Sequence, residues 1–193
     1  PKHLHKMKDM DVEIPSEKLV DIGYPKFDDY VNNKIDRNAY MNYLGIRDRS
    51  RKNILYAPTW RWGDGTLQKY GKQFCKELDG EFNLIIRPHF HDRRHILPLK
   101  FWAKSNGFNN VYFSNPAKIL KNNSMYDFAI SDLMISDTSS IIYEYLITKN
   151  PIIIADNNYQ DLHRMPSDLN ILDIANKYYG ENIGSLVDAE LSS

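Results

Sequence analysis

The amino-acid sequence predicts an α/β fold, a Rossmann-like parallel sheet with helices on both faces. Three observations lead there. Short apolar runs recur along the chain, at Asn53–Ala57, Phe82–Arg87, Asn110–Phe113, Leu133–Ser136 and Ile152–Ala155. Between them lie segments whose apolar residues return at helical spacing, such as Leu67, Tyr70, Phe74 and Leu78. The runs are apolar throughout rather than alternating, as in strands covered on both sides.

Each element has its own signal. Leu19–Ile22 reads as a first short strand, stopped by Gly23-Tyr24-Pro25. Asp36 is placed to cap a helix that runs to about Leu44, with Gly45 just beyond its end. Thr66 opens a helix to about Leu78, which Asp79-Gly80 closes. A helix from about Asp92 to Lys104 contains Pro98, which is expected to kink or shorten it. Asn115-Pro116 suits a helix start, and Ser124 is placed to cap a short helix through Ile130. Strand Leu133–Ser136 runs into a helix-compatible segment, Ile141 to Thr148, and Ile152–Ala155 is expected to be the last strand. After Asp156 the β rhythm stops, and Leu169, Leu172, Ile174 and Tyr178 suggest an amphipathic helical stripe.

Composition narrows the function. A chain of 193 residues fits one domain with a substantial core. Lysine plus arginine balance aspartate plus glutamate at 25 each, without the basic excess of a nucleic-acid binder. No apolar run reaches the eighteen or so residues of a membrane helix, and residues 1–10 lack the apolar stretch of a signal peptide. The single cysteine, Cys75, cannot form an internal disulfide, which suits a reducing compartment, and its apolar neighbours point to packing. The first residue is Pro1 rather than methionine, so a piece of a longer protein is expected.

Three loops carry residues suited to chemistry. All follow strands, so a parallel sheet brings them to one edge, where ligands of open α/β sheets bind. Ser136-Asp137-Thr138-Ser139-Ser140 combines hydroxyls with a helix N-terminus, a setting that suits phosphate oxygens, although a plain helix cap reads equally from this segment alone. Glu144, one turn into that helix, is placed for a ribose hydroxyl or for solvent. Arg87-Pro88-His89 offers a bidentate phosphate donor and a group that titrates near neutrality, or else a basic surface loop. Ala57-Pro58-Thr59-Trp60-Arg61 offers Arg61 for a diphosphate, and Trp60 or Trp62 to stack on a base or cover the crevice. His91 and His95 share helical spacing, but without a cysteine pair or a motif carboxylate they read as a solvated helix start rather than a zinc site. There is no glycine-rich dinucleotide fingerprint, no phosphate-loop motif and no nucleophile elbow, and neither metal nor cofactor is expected.

Taken in order, Tyr56-Ala57-Pro58-Thr59-Trp60-Arg61, Arg87-Pro88-His89 and Ser136-Asp137-Thr138-Ser139-Ser140 with Glu144-Tyr145 resemble the CDP-glycerol glycerophosphotransferases of teichoic acid synthesis. Gly23-Tyr24-Pro25-Lys26-Phe27-Asp28 is similar to that family's segment crossing between its two halves. The resemblance implies a GT-B architecture, of which this chain is the C-terminal, nucleotide-binding half. It implies a crossing segment over residues 1–24, a nucleotide-diphosphate-binding domain over 25–156 and a helical tail over 157–193. It also implies that Arg61, His89, Ser139 and Ser140 hold the CDP pyrophosphate, with Arg87, Thr138 and Glu144 at the same site and His89 in the catalytic role. Glu144 stands where the family more often has Asp.

The partners so implied are CDP-glycerol or a related donor, a lipid-linked polymer acceptor, and a missing N-terminal domain that carries the family's His-Gly histidine. The location so implied is cytoplasmic, at the inner face of the membrane. By itself this half is expected to bind nucleotide and turn over nothing. Two alternatives stand beside this reading: a GT-B glycosyltransferase or epimerase using a UDP- or CMP-sugar, and a non-catalytic nucleotide-binding module.

Overall fold

A computed structural model describes residues 2–60, 65–114, 123–157 and 170–193. Among these, six strands form one sheet: β1 (Asn53–Ala57), β2 (Asn83–Ile86), β3 (Val111–Phe113), β4 (Leu133–Ser136), β5 (Ile152–Ala155) and β6 (Asn176–Tyr178). Their order is β3-β2-β1-β4-β5-β6, and every pairing is parallel. In this doubly wound order the direction of winding reverses between β1 and β4, which opens a crevice at their carboxyl ends. The helices are α1 (Lys2–Asp9), α2 (Asp28–Val31), α3 (Arg37–Leu44), α4 (Leu67–Leu78), α5 (Arg93–Ser105), α6 (Ser124–Ile130), α7 (Ile141–Tyr145), α8 (Ile171–Ile174) and α9 (Ile183–Ser192).

Side chains alternate across a strand, so the apolar runs feed two cores at once. Leu55, Ala57, Ile85 and Met134 pack on one face with Tyr40 of α3, Phe128 of α6 and Tyr145 of α7. Ile54, Tyr56, Leu84 and Ile135 pack on the other with Phe74 of α4, Ala103 of α5 and Val187 of α9. All five residues of β1 are buried, which is why it occupies the centre and why its sequence does not alternate. Cys75 lies fully inside this second core, and burial pushes its thiol up to about 12, so it packs and does not react.

Local signals fix several boundaries. Asp36 accepts from the Ala39 amide at 2.9 Å, and α3 ends at Gly45 with φ 82, a left-handed turn that costs glycine little. The cap of α6 is Asn123, which accepts from the Met125 amide, and not the expected Ser124; the Ser124 hydroxyl is turned instead toward Glu144. Pro98 sits inside α5, which nevertheless runs thirteen residues. Pro98 is exposed, so water can satisfy the carbonyl that its missing N–H leaves open.

Three expectations change. Leu19–Ile22 is not a strand: Val20 and Ile22 are 79% and 77% exposed, and the segment pairs with no strand among the described residues. Ile152–Ala155 is not the last strand either, because β6 pairs with it through Ile153, Ile154 and Ala155. Sequence periodicity misses β6 because it is a three-residue edge strand in which only Tyr178 is buried. The expected stripe from Leu169 to Tyr178 divides accordingly, with Leu172 packing on one face of the sheet and Tyr178 on the other. Tyr178 meets Tyr70 and Phe74 edge-on at 5.1 and 5.3 Å, and Glu77 of α4 accepts from the Ile183 amide. The C-terminal residues therefore complete the sheet and one of its cores. Leu169 and the helix start expected at Asn115-Pro116 lie outside the described residues.

Candidate functional site

The loops after β1, β2 and β4 meet at the carboxyl edge of the sheet, where the strand order reverses, and bound a cleft of about 390 Å³. Thr59 and Trp60 come from the first loop, Arg87 and His89 from the second, and Thr138, Ser139 and Ser140 from the third. Glu144 of α7, Ser124 of α6 and Lys26 complete the wall. Of the residues singled out in the sequence, Arg87, His89, Thr138, Ser139, Ser140 and Glu144 are thus brought together. Arg61 and Trp62 lie outside the described residues.

Each loop is held from beneath. After β1, the Thr59 amide donates to Asp137 at 2.8 Å, and the Thr66 amide and hydroxyl donate to the other carboxylate oxygen at 3.0 Å each. One buried carboxylate thereby pins both ends of the 59–66 loop. Gly65 is required there, because a Cβ at this position would stand 2.1 Å from the Thr59 carbonyl oxygen. Burial raises the Asp137 pKa above its ordinary value, and its backbone and hydroxyl donors only partly oppose this.

After β2, Arg87 turns inward. It is 9% exposed, its Nη1 lies 2.5 Å from Asp127, and Asp127 is fully buried. The Tyr40 hydroxyl donates to Asp127 at 2.7 Å and the Ser114 hydroxyl at 3.0 Å. Arg87 therefore reaches the cleft wall with its charge balanced inside the domain. Its neighbour His89 is half-buried, with its ring beside Trp60 and His91 at centroid distances of 6.2 and 5.1 Å. The His91 amide donates to His89 Nδ1 at 3.3 Å, which leaves Nε2–H as the donor of the neutral ring. Burial lowers the His89 pKa below 6.5, and His91 adds to the effect while Asp92 opposes it.

After β4, α7 begins at Ile141, with Ser140 as its N-cap residue and no side-chain cap bond. The Ile141 amide donates to Ser139 Oγ at 3.5 Å, and the hydroxyls of Thr138, Ser139 and Ser140 all line the cleft. Glu144 is engaged by protein groups: Lys26 Nζ at 2.5 Å, the Tyr24 hydroxyl at 2.9 Å and the Ser124 hydroxyl at 3.1 Å.

Sequence reading missed Asp127, the pinning of the loop after β1 by Asp137, and Lys26 as part of the wall. A lone aspartate within the apolar helix sequence Ser124–Ile130 was the available signal for the first. For the second it was an aspartate at a strand end. Nothing local marks Lys26, because its partner lies 118 residues away.

The sheet order and its edge cleft define the class of domain, the C-terminal half of a GT-B fold. The C-terminal domain of a group 1 glycosyl transferase from Francisella tularensis aligns over 82% of this chain and 83% of its own, with a TM-score of 0.52. At 12% identity that is a likeness of fold alone. Within the class, residues 4–179 match the model of the CDP-glycerol:poly(glycerophosphate) glycerophosphotransferase family, and the chain belongs to that family. A teichoic acid poly(glycerol phosphate) polymerase of Bacillus spizizenii is 30% identical over 149 residues, 70% of this chain and 34% of the relative. A variant of the wall teichoic acid polymerase TagF soaked with CDPG superposes with a TM-score of 0.63 at 22% identity, over 93% of this chain and 44% of that one. The chain spans about a fifth to a third of the length of such curated relatives.

Proposed function

We propose that this chain is the donor-binding half of a transferase that moves glycerol phosphate, or a related polyol phosphate, from a CDP-linked donor to a surface-polymer acceptor and releases CMP. The observation that carries this reading is the convergence of His89 and the Thr138, Ser139 and Ser140 hydroxyls on one cleft at the reversal of the sheet, in a member of this family. Hydroxyls and an imidazole N–H are donors matched to phosphate oxygens. An acceptor hydroxyl attacks the β-phosphorus. A new phosphorus–oxygen bond forms, the bond to the CMP oxygen breaks, and the acceptor proton goes to a base on the preceding half. Catalysis is then mostly positioning and charge stabilisation.

In this reading His89 donates to the departing phosphate. Ser139, Ser140 and Thr138 hold the pyrophosphate, joined by Arg61, while Arg87 anchors the turn that presents His89. Residues 1–24 enter from the preceding half. Among the described residues no helix is long and apolar enough to cross a membrane. In this reading the enzyme meets its lipid-linked acceptor as a peripheral protein at the inner membrane face.

Calorimetric titration with CDP, CDP-glycerol, CMP and UDP tests the donor. CDP and CDP-glycerol should bind at least about tenfold more tightly than UDP, a difference of roughly 1.4 kcal/mol. A preference for UDP would overturn the reading. His89→Ala and the double change Ser139→Ala/Ser140→Ala should each weaken CDP binding with the circular dichroism spectrum unchanged. Wild-type affinity in both would remove these residues from the site.

A further inference from the structure

We propose that Lys26, contributed by the segment that precedes β1, is a phosphate-binding residue of the donor site, and that Glu144 is the residue that positions it. This rests on the reading of the cleft as a nucleotide-diphosphate site. Lys26 lines the same cleft as Ser139, Ser140 and His89, although it stands 118 residues from Glu144 in the chain. Its side chain is 36% exposed and its Nζ is 2.5 Å from Glu144 Oε2. An ammonium group has three donors, and this ion pair engages one of them, so the others remain for phosphate oxygens. Arg87, the other cation named on the wall, is buried and spends Nη1 on Asp127. Among the described residues of the wall, Lys26 is thus the more exposed of the two cations, Lys26 and Arg87.

The anchoring is built from both sides. Glu144 Oε1 accepts from Tyr24, and Oε2 accepts from Lys26 and Ser124. Three protein donors orient the carboxylate, which in turn holds the ammonium beside the serines. Tyr24 packs edge-on against Phe27 at 4.7 Å, and Phe27 packs against the core beneath, so the segment that carries Lys26 is seated on the domain. A carboxylate facing an incoming diphosphate would repel it, whereas one neutralised and capped by Lys26 does not. Glu144 accordingly acts on the donor through Lys26. The same contacts tie the entry segment to the site, so that donor occupancy and the placement of residues 21–28 depend on each other.

The test uses the whole 193-residue chain, with CDP as the probe at several salt concentrations. Wild-type binding of CDP examines the donor reading itself, and the variants examine the inference. Lys26→Ala should lose at least about tenfold in affinity and show a shallower dependence on salt, because one cation–phosphate contact is gone. Lys26→Arg should stay within a few-fold of wild type. Adding Glu144→Ala to Lys26→Ala should recover only part of the lost affinity, by removing the uncapped carboxylate, and leave the double variant weaker than wild type. The inference is overturned if Lys26→Ala binds like wild type with an unchanged salt slope. It is overturned equally if the double variant returns to wild-type affinity, because Lys26 would then only neutralise Glu144. A chain that binds no CDP at all would instead remove the donor reading.

Discussion

Two buried aspartates lie under the candidate cleft, and they are satisfied in opposite ways. Asp127, beneath the loop after β2, is paired with a cation, Arg87, and accepts from two hydroxyls as well. Asp137, beneath the loop after β1, accepts hydrogen bonds from neutral groups of Thr59, Thr66 and Thr138. An ion pair balances charge, so its loss leaves an uncompensated partner in the interior. Neutral donors only orient dipoles toward a charge, so burial still disfavours ionisation, and the raised pKa of Asp137 is the result. The first arrangement acts as a strut for the Arg87-Pro88-His89 turn. The second is a pin whose strength depends on protonation.

The same chemical change at both sites should separate them. Asp127→Asn leaves Arg87 buried with its charge unmatched, and urea unfolding should show a loss of about 3–5 kcal/mol. Asp137→Asn keeps one acceptor and turns an amide group toward an N–H, and the loss should be smaller, about 1–3 kcal/mol. An equal or larger loss for Asp137→Asn would break the comparison.

The pH dependence sharpens it. With its folded pKa above the ordinary 3.8, Asp137 binds protons more readily in the folded chain than in the unfolded one. Its contribution to stability is therefore greatest at low pH and declines as pH rises from 3.8 through its folded value. Subtracting the Asp137→Asn stability profile from the wild-type profile should expose this downward slope, and a difference that rises with pH would refute it.

The smallest effect concerns the imidazole on the strut. His89 has a pKa below 6.5 in the free chain, so it is neutral at pH 7, and an anionic donor should draw a proton onto it. Measured against His89→Ala, to cancel the titration of the nucleotide itself, wild-type affinity for CDP should rise a few-fold between pH 7 and pH 5.5. Parallel pH profiles would show that His89 does not face the phosphates.

Much of this molecule is legible in its residues taken a few at a time. The apolar runs of β1, β2, β4 and β5 could only be doubly covered strands, because an apolar surface on both sides must be buried on both sides. A parallel arrangement then sends the loops beginning at Pro58, Arg87 and Asp137 to one edge, so most of the candidate site followed from strand order along the chain. Asp36 and Gly45 bounded α3 by local hydrogen bonding and a left-handed turn, which need no tertiary partner.

Tertiary structure decided whatever depends on distant partners. Asn176–Tyr178 is too short and too polar to announce a strand, and it becomes one only because β5 offers an open edge. Leu19–Ile22 has the composition of a strand and is not one: it pairs with no strand among the described residues, and Val20 and Ile22 stay exposed. Arg87 reads as a ligand donor until Asp127, forty residues on, takes its Nη1. Glu144 reads as a lone helix carboxylate until Tyr24 and Lys26 arrive from the other end of the chain. Burial and turns are properties of a short stretch of sequence. The assignment of a charge to its counter-charge is a property of the folded whole, since only there do the two share a low-dielectric interior.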